Sequence, residues 1–119
     1  MYSDLIIDLY KSPLNRRIIE HPTSTHSGAN VTCGDHVRMY LLLNKEGIME
    51  DCAFQGEGCA ISIATASLIT EHAKGKTKDE ILKWDKEKLF EFLEAEIGAV
   101  RIKCALLPLE VIQGALKRC

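Results

Sequence analysis

The sequence predicts an α+β fold, a small antiparallel β-sheet packed against several helices, in one domain spanning residues 1–119. Three observations predict it. Apolar residues alternate over Val37, Met39, Leu41 and Leu43, the period of a strand with one buried face. The turn residues Asn44-Lys45-Glu46-Gly47 then lead into a second strand-like run, which makes a hairpin. Beyond Gly56-Glu57-Gly58 the apolar spacing becomes helical, and capping residues recur.

The elements follow in order. Leu5, Ile6, Leu9 and Tyr10 repeat at helical spacing after Ser3, an N-cap residue, and Pro13 closes this first helix. Glu20 to Thr32 is rich in His, Ser, Thr, Gly and Asn and reads as loop, with room for one short edge strand. In the second strand Ile48, Cys52 and Phe54 share a face that Glu50 interrupts, and Gly56-Glu57-Gly58 breaks it. Ala60 to Lys74 carries the helical stripe Ile61, Ala64, Leu68 and His72, with Gly75 at the C′ position. Thr77 and Glu80 have capping-box spacing for a short helix to about Trp84. Asp85 caps another, with Leu89, Phe90 and Leu93 inward. A last helix follows Cys104, its face made by Leu109, Ile112 and Leu116, with Pro108 expected in the first turn.

Composition excludes several classes. The apolar content of 46% suits a folded core. The 15 basic and 17 acidic residues are mixed along the chain, so no basic field attracts nucleic acid. No apolar run approaches the about 20 residues of a membrane span. Asp4 and Asp8 interrupt the apolar N-terminus, which does not read as a signal peptide. The expected location is cytoplasmic. A reducing cytoplasm and an odd count of five cysteines both argue against a disulfide framework.

The cysteines divide by position. Cys33, Cys59 and Cys104 stand at junctions between elements, and the last two at helix starts, where the dipole favours a thiolate. Asp35 lies two residues from Cys33, on the same side of an extended chain. Cys52 falls mid-strand beside Phe54 and reads as a small buried hydrophobe. Cys119 is the last residue and is expected to fray. No CxxC pair occurs, so spacing alone leaves open a shared metal site or three unrelated cysteines. His36 is a spare ligand at most and should face away. His21 and His26 read as solvated loop residues, and His72 as a core-edge residue. The run Lys83-Trp84-Asp85-Lys86-Glu87-Lys88 reads as a solvated junction.

Local motifs narrow the choice. They are Tyr2-Ser3-Asp4 through Tyr10-Lys11-Ser12-Pro13, Cys33-Gly34-Asp35, Gly47-Ile48-Met49-Glu50-Asp51, Gly56-Glu57-Gly58-Cys59-Ala60-Ile61-Ser62, Lys74-Gly75-Lys76 and Arg101-Ile102-Lys103-Cys104. In this order the chain resembles the IscU family of iron–sulfur cluster scaffolds, which is similar to the N-terminal module of NifU and to SufU. The resemblance implies a sulfur acceptor and scaffold, not an enzyme. It would take persulfide sulfur from a PLP-dependent cysteine desulfurase of the IscS, SufS or NifS kind, combine it with iron, and pass the cluster to apo-proteins. Ferredoxin- or frataxin-type helpers and a homodimer in the cluster-bound state are further implied partners. The metal and cluster ligands carried over are Cys33, Asp35, Cys59 and Cys104. The cargo would be a 2Fe-2S cluster, with 4Fe-4S as a later product and Zn2+ as the alternative occupant.

Three departures shape the expectation. Lys103 stands where IscU proteins usually carry histidine, as in SufU. A protonated lysine is a poor ligand and instead stabilises thiolate or persulfide charge. Gly98-Ala99-Val100-Arg101 replaces the LPPVK motif, so hand-off through a specialised chaperone is not expected. The stretch from Cys59 to Cys104 lacks the insertion typical of SufU. The leading reading is a cluster scaffold. A zinc-bound, SufU-like sulfurtransferase is the second, and a structural zinc module the third. Cys104 and Cys33 are the candidate persulfide acceptors. Cys104 is preferred for its helix start and its neighbour Lys103.

Overall fold

In the computed structural model, which describes residues 3–119, helix α1 (Asp4–Lys11) precedes strands β1 (Ser24–Asn30), β2 (Asp35–Leu43) and β3 (Met49–Glu57). Helices α2 (Ala60–Ala73), α3 (Lys78–Leu82), α4 (Lys86–Leu93) and α5 (Ile102–Lys117) follow. The sheet is antiparallel in the order β1-β2-β3, and the α+β architecture is as expected. Tyr2, the first residue of the N-terminal motif, lies outside the described residues.

The hairpin core follows from alternation. Val37, Met39 and Leu41 lie opposite Gly56, Phe54 and Cys52, and all but the glycine are fully buried. Glu50 interrupts the pattern because the register shifts between Leu42 and Leu43, which pair with Asp51 and Met49. Glu50 is the extra residue of a bulge, and the bulge returns Met49 to the core. Cys52 is buried in this layer, as its position beside Phe54 suggests. Helix α2 is buried on every side from Ile61 to Thr70, so its stripe is broader than the sequence suggests.

Capping places the helices. Ser3 accepts from the Ile6 amide, Thr77 from Glu80 and Asp85 from Lys88. Gly75 takes φ +84° just beyond α2, as a C′ residue should. Leu89 and Leu93 are buried in α4, whereas Phe90 is only half-buried. The ring contacts come from Phe92, which stacks on His72 at 4.0 Å and meets the edge of Trp84 at 5.2 Å. His72 is itself exposed and covers the edge of the core only through this ring contact. Trp84 departs from the solvated-junction reading and turns inward, while Lys83, Asp85, Lys86 and Glu87 stay exposed.

Four segments differ from expectation for identifiable reasons. The Glu20–Thr32 region holds a seven-residue edge strand, β1, with almost no apolar side chains. Its inward face is made of small or flat groups against α5. A Cβ on Gly28 would meet Val111 at 2.8 Å, and one on Gly114 would meet the ring of His26 at 2.5 Å. His26 therefore packs on α5 and is not a solvated loop residue. Second, β3 continues through Gly56, where a Cβ would overlap the His36 carbonyl. Gly56→Ala should lower stability by about 1–3 kcal/mol through this backbone clash, read as a lower urea midpoint. Third, α5 starts at Ile102, so Cys104 lies inside its first turn and Pro108 inside the helix. Pro108 cannot donate to the Cys104 carbonyl, its helical acceptor. Fourth, Cys119 is exposed but tied down, its amide donating to the Leu116 carbonyl at 3.1 Å.

A segment after α1 straps the site-bearing elements together. Asn15, at φ +61°, accepts from the Phe54 amide at 2.9 Å and from Lys74 Nζ at 2.7 Å. Arg17 pairs with Asp51 through two hydrogen bonds of 3.0 and 2.7 Å.

Candidate metal centre

Three chain junctions converge at one end of the sheet. The β1–β2 turn is closed by the Asn30 carbonyl, which accepts from the amides of Cys33 (3.1 Å) and Gly34 (2.9 Å). Gly34 takes φ +74°, a conformation that glycine adopts at little cost. Cys33 and Asp35 therefore meet around a tight turn and not along an extended strand. Cys59 is the N-cap of α2, and Cys104 sits in the first turn of α5.

The ligand atoms of Cys33, Asp35 and Cys104 all lie within 4.8 Å of one another. Cys59 falls outside that tight set, but its thiol lies beside that of Cys104. The sulfurs differ in access: Cys33 is exposed, Cys59 half-buried and Cys104 fully buried. His36 is not in the group. It points to the other sheet face, where Nε2 is 3.8 Å from Glu57. Lys103 is exposed at the rim.

Asp35 is the most informative residue. It is 1% exposed, yet only Oδ1 has a partner, the Cys59 amide at 2.9 Å. Oδ2 is buried with no hydrogen-bond partner. A buried carboxylate oxygen in this condition is costly unless a cation or proton joins it. Gly58 makes the geometry possible, since a Cβ there would stand 2.5 Å from Asp35 Oδ1. In the sequence Gly58 reads as a strand breaker and as part of the motif over residues 56–62; its contact with Asp35 appears only in three dimensions. One buried carboxylate among three thiols is a donor set suited to a soft, multiply charged metal centre.

Electrostatics correct one expectation. Burial pushes the Cys104 thiol up, and the neighbouring Cys59 and Asp35 act in the same direction. Without a cation, Cys104 is held as a thiol despite its place near a helix start. Its amide is already spent on the Arg101 carbonyl at 3.0 Å. A bound cation reverses this balance by neutralising both anions. In the metal-free protein, alkylation should therefore run Cys33 first, Cys59 next and Cys104 last, measured by mass spectrometry of timed iodoacetamide reactions.

The buried thiols also set an alkaline limit. Burial raises the Cys52 thiol above its ordinary value as well. Above about pH 8.5 the unfolded chain ionises thiols that the fold keeps protonated. The unfolded state then binds fewer protons, so stability is full below that pH and falls above it. Each such thiol contributes about 1.4 kcal/mol per pH unit. Cys52→Ala should reduce the slope of urea midpoint against pH between 8 and 10.

The family model described as the NifU-like N-terminal domain matches residues 1–119. The chain belongs to that family. It is 34% identical to the iron–sulfur cluster assembly scaffold protein IscU of Escherichia coli K12, covering 97% of this chain and 91% of that protein. It is 35% identical to IscU 1 of Archaeoglobus fulgidus, covering 98% and 74%. A crystal structure described as a scaffold protein for the SUF system, from Fervidobacterium islandicum, superposes with TM-score 0.83 at 31% identity over 97% and 96% of the two chains. The N-terminal NifU-like protein of Brucella abortus, at 18% identity and TM-score 0.81, shares the fold. This chain is thus an IscU-type member of the iron–sulfur cluster assembly scaffold family. Among the described residues, no helix is long and apolar enough to cross a membrane.

Proposed function

We propose that the protein assembles a 2Fe-2S cluster on Cys33, Asp35, Cys59 and Cys104 and transfers it to apo-proteins. The observation that carries this reading is the buried, half-satisfied carboxylate of Asp35 beside two thiols. Thiolates suit iron and sulfide, and a single hard carboxylate suits release. The access gradient fits a cargo that enters and leaves. Cys33 forms the exposed lip, and Cys104 closes the inner wall.

Sulfur would arrive as the persulfide of a cysteine desulfurase. A thiolate of this chain attacks the outer sulfur, the donor S–S bond breaks, and the donor cysteine leaves as thiolate. Reducing the transferred sulfur to sulfide takes two electrons, the task of a ferredoxin-type partner. Cys33 and Cys104 remain the two candidate acceptors. Exposure favours Cys33 in the metal-free protein, against the preference that the helix start alone suggests. Lys103 would offset persulfide charge from the rim.

The second reading is a zinc-bound sulfurtransferase on the same four residues. Lys103, standing where SufU also carries lysine, favours it. Anaerobic purification followed by iron, sulfide and zinc analysis separates the two. The scaffold reading expects iron and sulfide in equal amounts and a visible charge-transfer spectrum after reconstitution. Tightly held zinc, with no cluster formed, supports the transferase instead.

A further inference from the structure

The β1–β2 ladder ends on the pair Asn30–Asp35. Directly opposed residues of antiparallel strands project on one sheet face, with Cβ atoms about 5 Å apart. This pair brings two unsatisfied buried atoms together. Asp35 Oδ2 lacks a donor or cation, and Asn30 Nδ2 lacks an acceptor. The two have not bonded to each other. Ser62 Oγ and Thr65 Oγ1 are also buried without partners, but they lie within α2.

The surroundings of Asn30 indicate what its amide awaits. Its backbone carbonyl carries the amide of Cys33. The residue borders a cavity of about 220 Å³ with Lys103, Leu106 and Leu107, on the helix that bears Cys104, while its Nδ2 is buried. Asn30 is thus tied to Cys33 through its backbone and to Asp35 through the strand pairing, and the Asp35 carboxylate lies within 4.8 Å of the Cys33 and Cys104 sulfurs. A site that holds only a cation would satisfy Asp35 and leave the Asn30 donor idle. A metal bound through anionic sulfur satisfies both.

We propose that Asn30 donates its Nδ2–H to a metal-bound sulfur of the Cys33–Cys104 pair, acting as a positioning residue for the cargo. This rests on the reading that these thiols bind metal. Thiolate sulfur keeps negative charge when it ligates, and hydrogen bonds to that sulfur tune both affinity and electronic properties. Lys103 lies on the same cavity, but it is exposed and its charge is screened by solvent and salt. The Asn30 amide hydrogens are dry, so their bond to sulfur is the stronger influence.

The test uses Co(II) as the probe, because its thiolate charge-transfer bands report the sulfur environment directly. Asn30→Leu keeps the shape and removes the donor. It should bind Co(II) about tenfold more weakly in chelator competition, the lower end of the range for such outer partners. The charge-transfer band should shift, and the melting temperature of the metal-free protein should not fall, since the lost donor had no partner there. Asn30→Ser keeps a donor on a shorter arm and should bind more tightly than Asn30→Leu. Unchanged affinity and spectrum in Asn30→Leu would overturn the proposal, as would equal losses in both variants with a lowered metal-free melting temperature. Should the unaltered protein bind no Co(II), the metal reading itself fails. Binding by the unaltered protein with no change in Asn30→Leu removes only the role of Asn30.

Discussion

Cys33→Ser, Cys59→Ser and Cys104→Ser should each lose most bound iron after reconstitution with iron and sulfide, whereas Cys52→Ala and Cys119→Ser should keep it. A hydroxyl is a far poorer ligand than thiolate for a soft metal. Loss of an outer-shell partner alone costs about 10–100-fold in metal affinity, so loss of a direct ligand should exceed that. The three are not equivalent in the metal-free state. Cys104→Ser buries a hydroxyl in place of a thiol and should also destabilise by about 1–3 kcal/mol if that group stays unpaired. Cys33→Ser is exposed and should leave the metal-free melting temperature unchanged. Cys52 is buried on the strand hairpin, so Cys52→Ala should lower stability while leaving bound iron near normal. Bound iron per chain measures the first effect, and thermal unfolding of the metal-free variants measures the second. Loss of iron in Cys52→Ala with retention in Cys104→Ser would overturn the assignment.

Asp35→Ala should hold its cluster longer and pass it to an apo-ferredoxin more slowly, by about tenfold. The carboxylate is the hard, exchangeable member of the set, and its departure opens a coordination position to an acceptor thiol. Removing it leaves three thiolates, with solvent filling the gap. A resident zinc site behaves oppositely, because a closed tetrahedral site loses affinity when any ligand goes. Cluster transfer followed by the rise of the ferredoxin spectrum, with zinc affinity by chelator competition, distinguishes the two. Gly58→Ala supplies an independent check. Its Cβ would press on Asp35 Oδ1, so the carboxylate must shift while all four ligands remain. If Asp35 governs release through its position, Gly58→Ala should alter transfer in the same direction as Asp35→Ala. Faster cluster loss from Asp35→Ala would show that the carboxylate is an ordinary stabilising ligand.

The two variants touch parts of the site that differ in how legible they are from sequence. Cys33, Asp35, Cys59 and Cys104 stand out because each lies at an element junction inside one of the ordered family motifs. Gly58 and Asn30 do not stand out. Gly58 reads as a strand breaker within a motif, with nothing to link it to Asp35, and Asn30 as one polar residue in a polar loop. Their importance comes from a contact across 23 residues in one case and from a strand pairing in the other.

The sequence by itself determined the hairpin, the helix caps and the class of fold, and it singled out four candidate residues for the site. These follow from local rules: alternation, capping chemistry, and the family motifs that surround each cysteine. Tertiary structure alone decided which sulfur is reachable and which is sealed, because burial depends on elements distant in the chain. It turned the apparent advantage of Cys104 at a helix start into a raised, buried thiol, since desolvation and the nearby Cys59 and Asp35 all act upward. It also decided that β1, a strand almost without apolar residues, would form at all. Packing on α5 through Gly28, His26 and Gly114 supplies what its side chains lack, and strand propensity yields to that long-range contact.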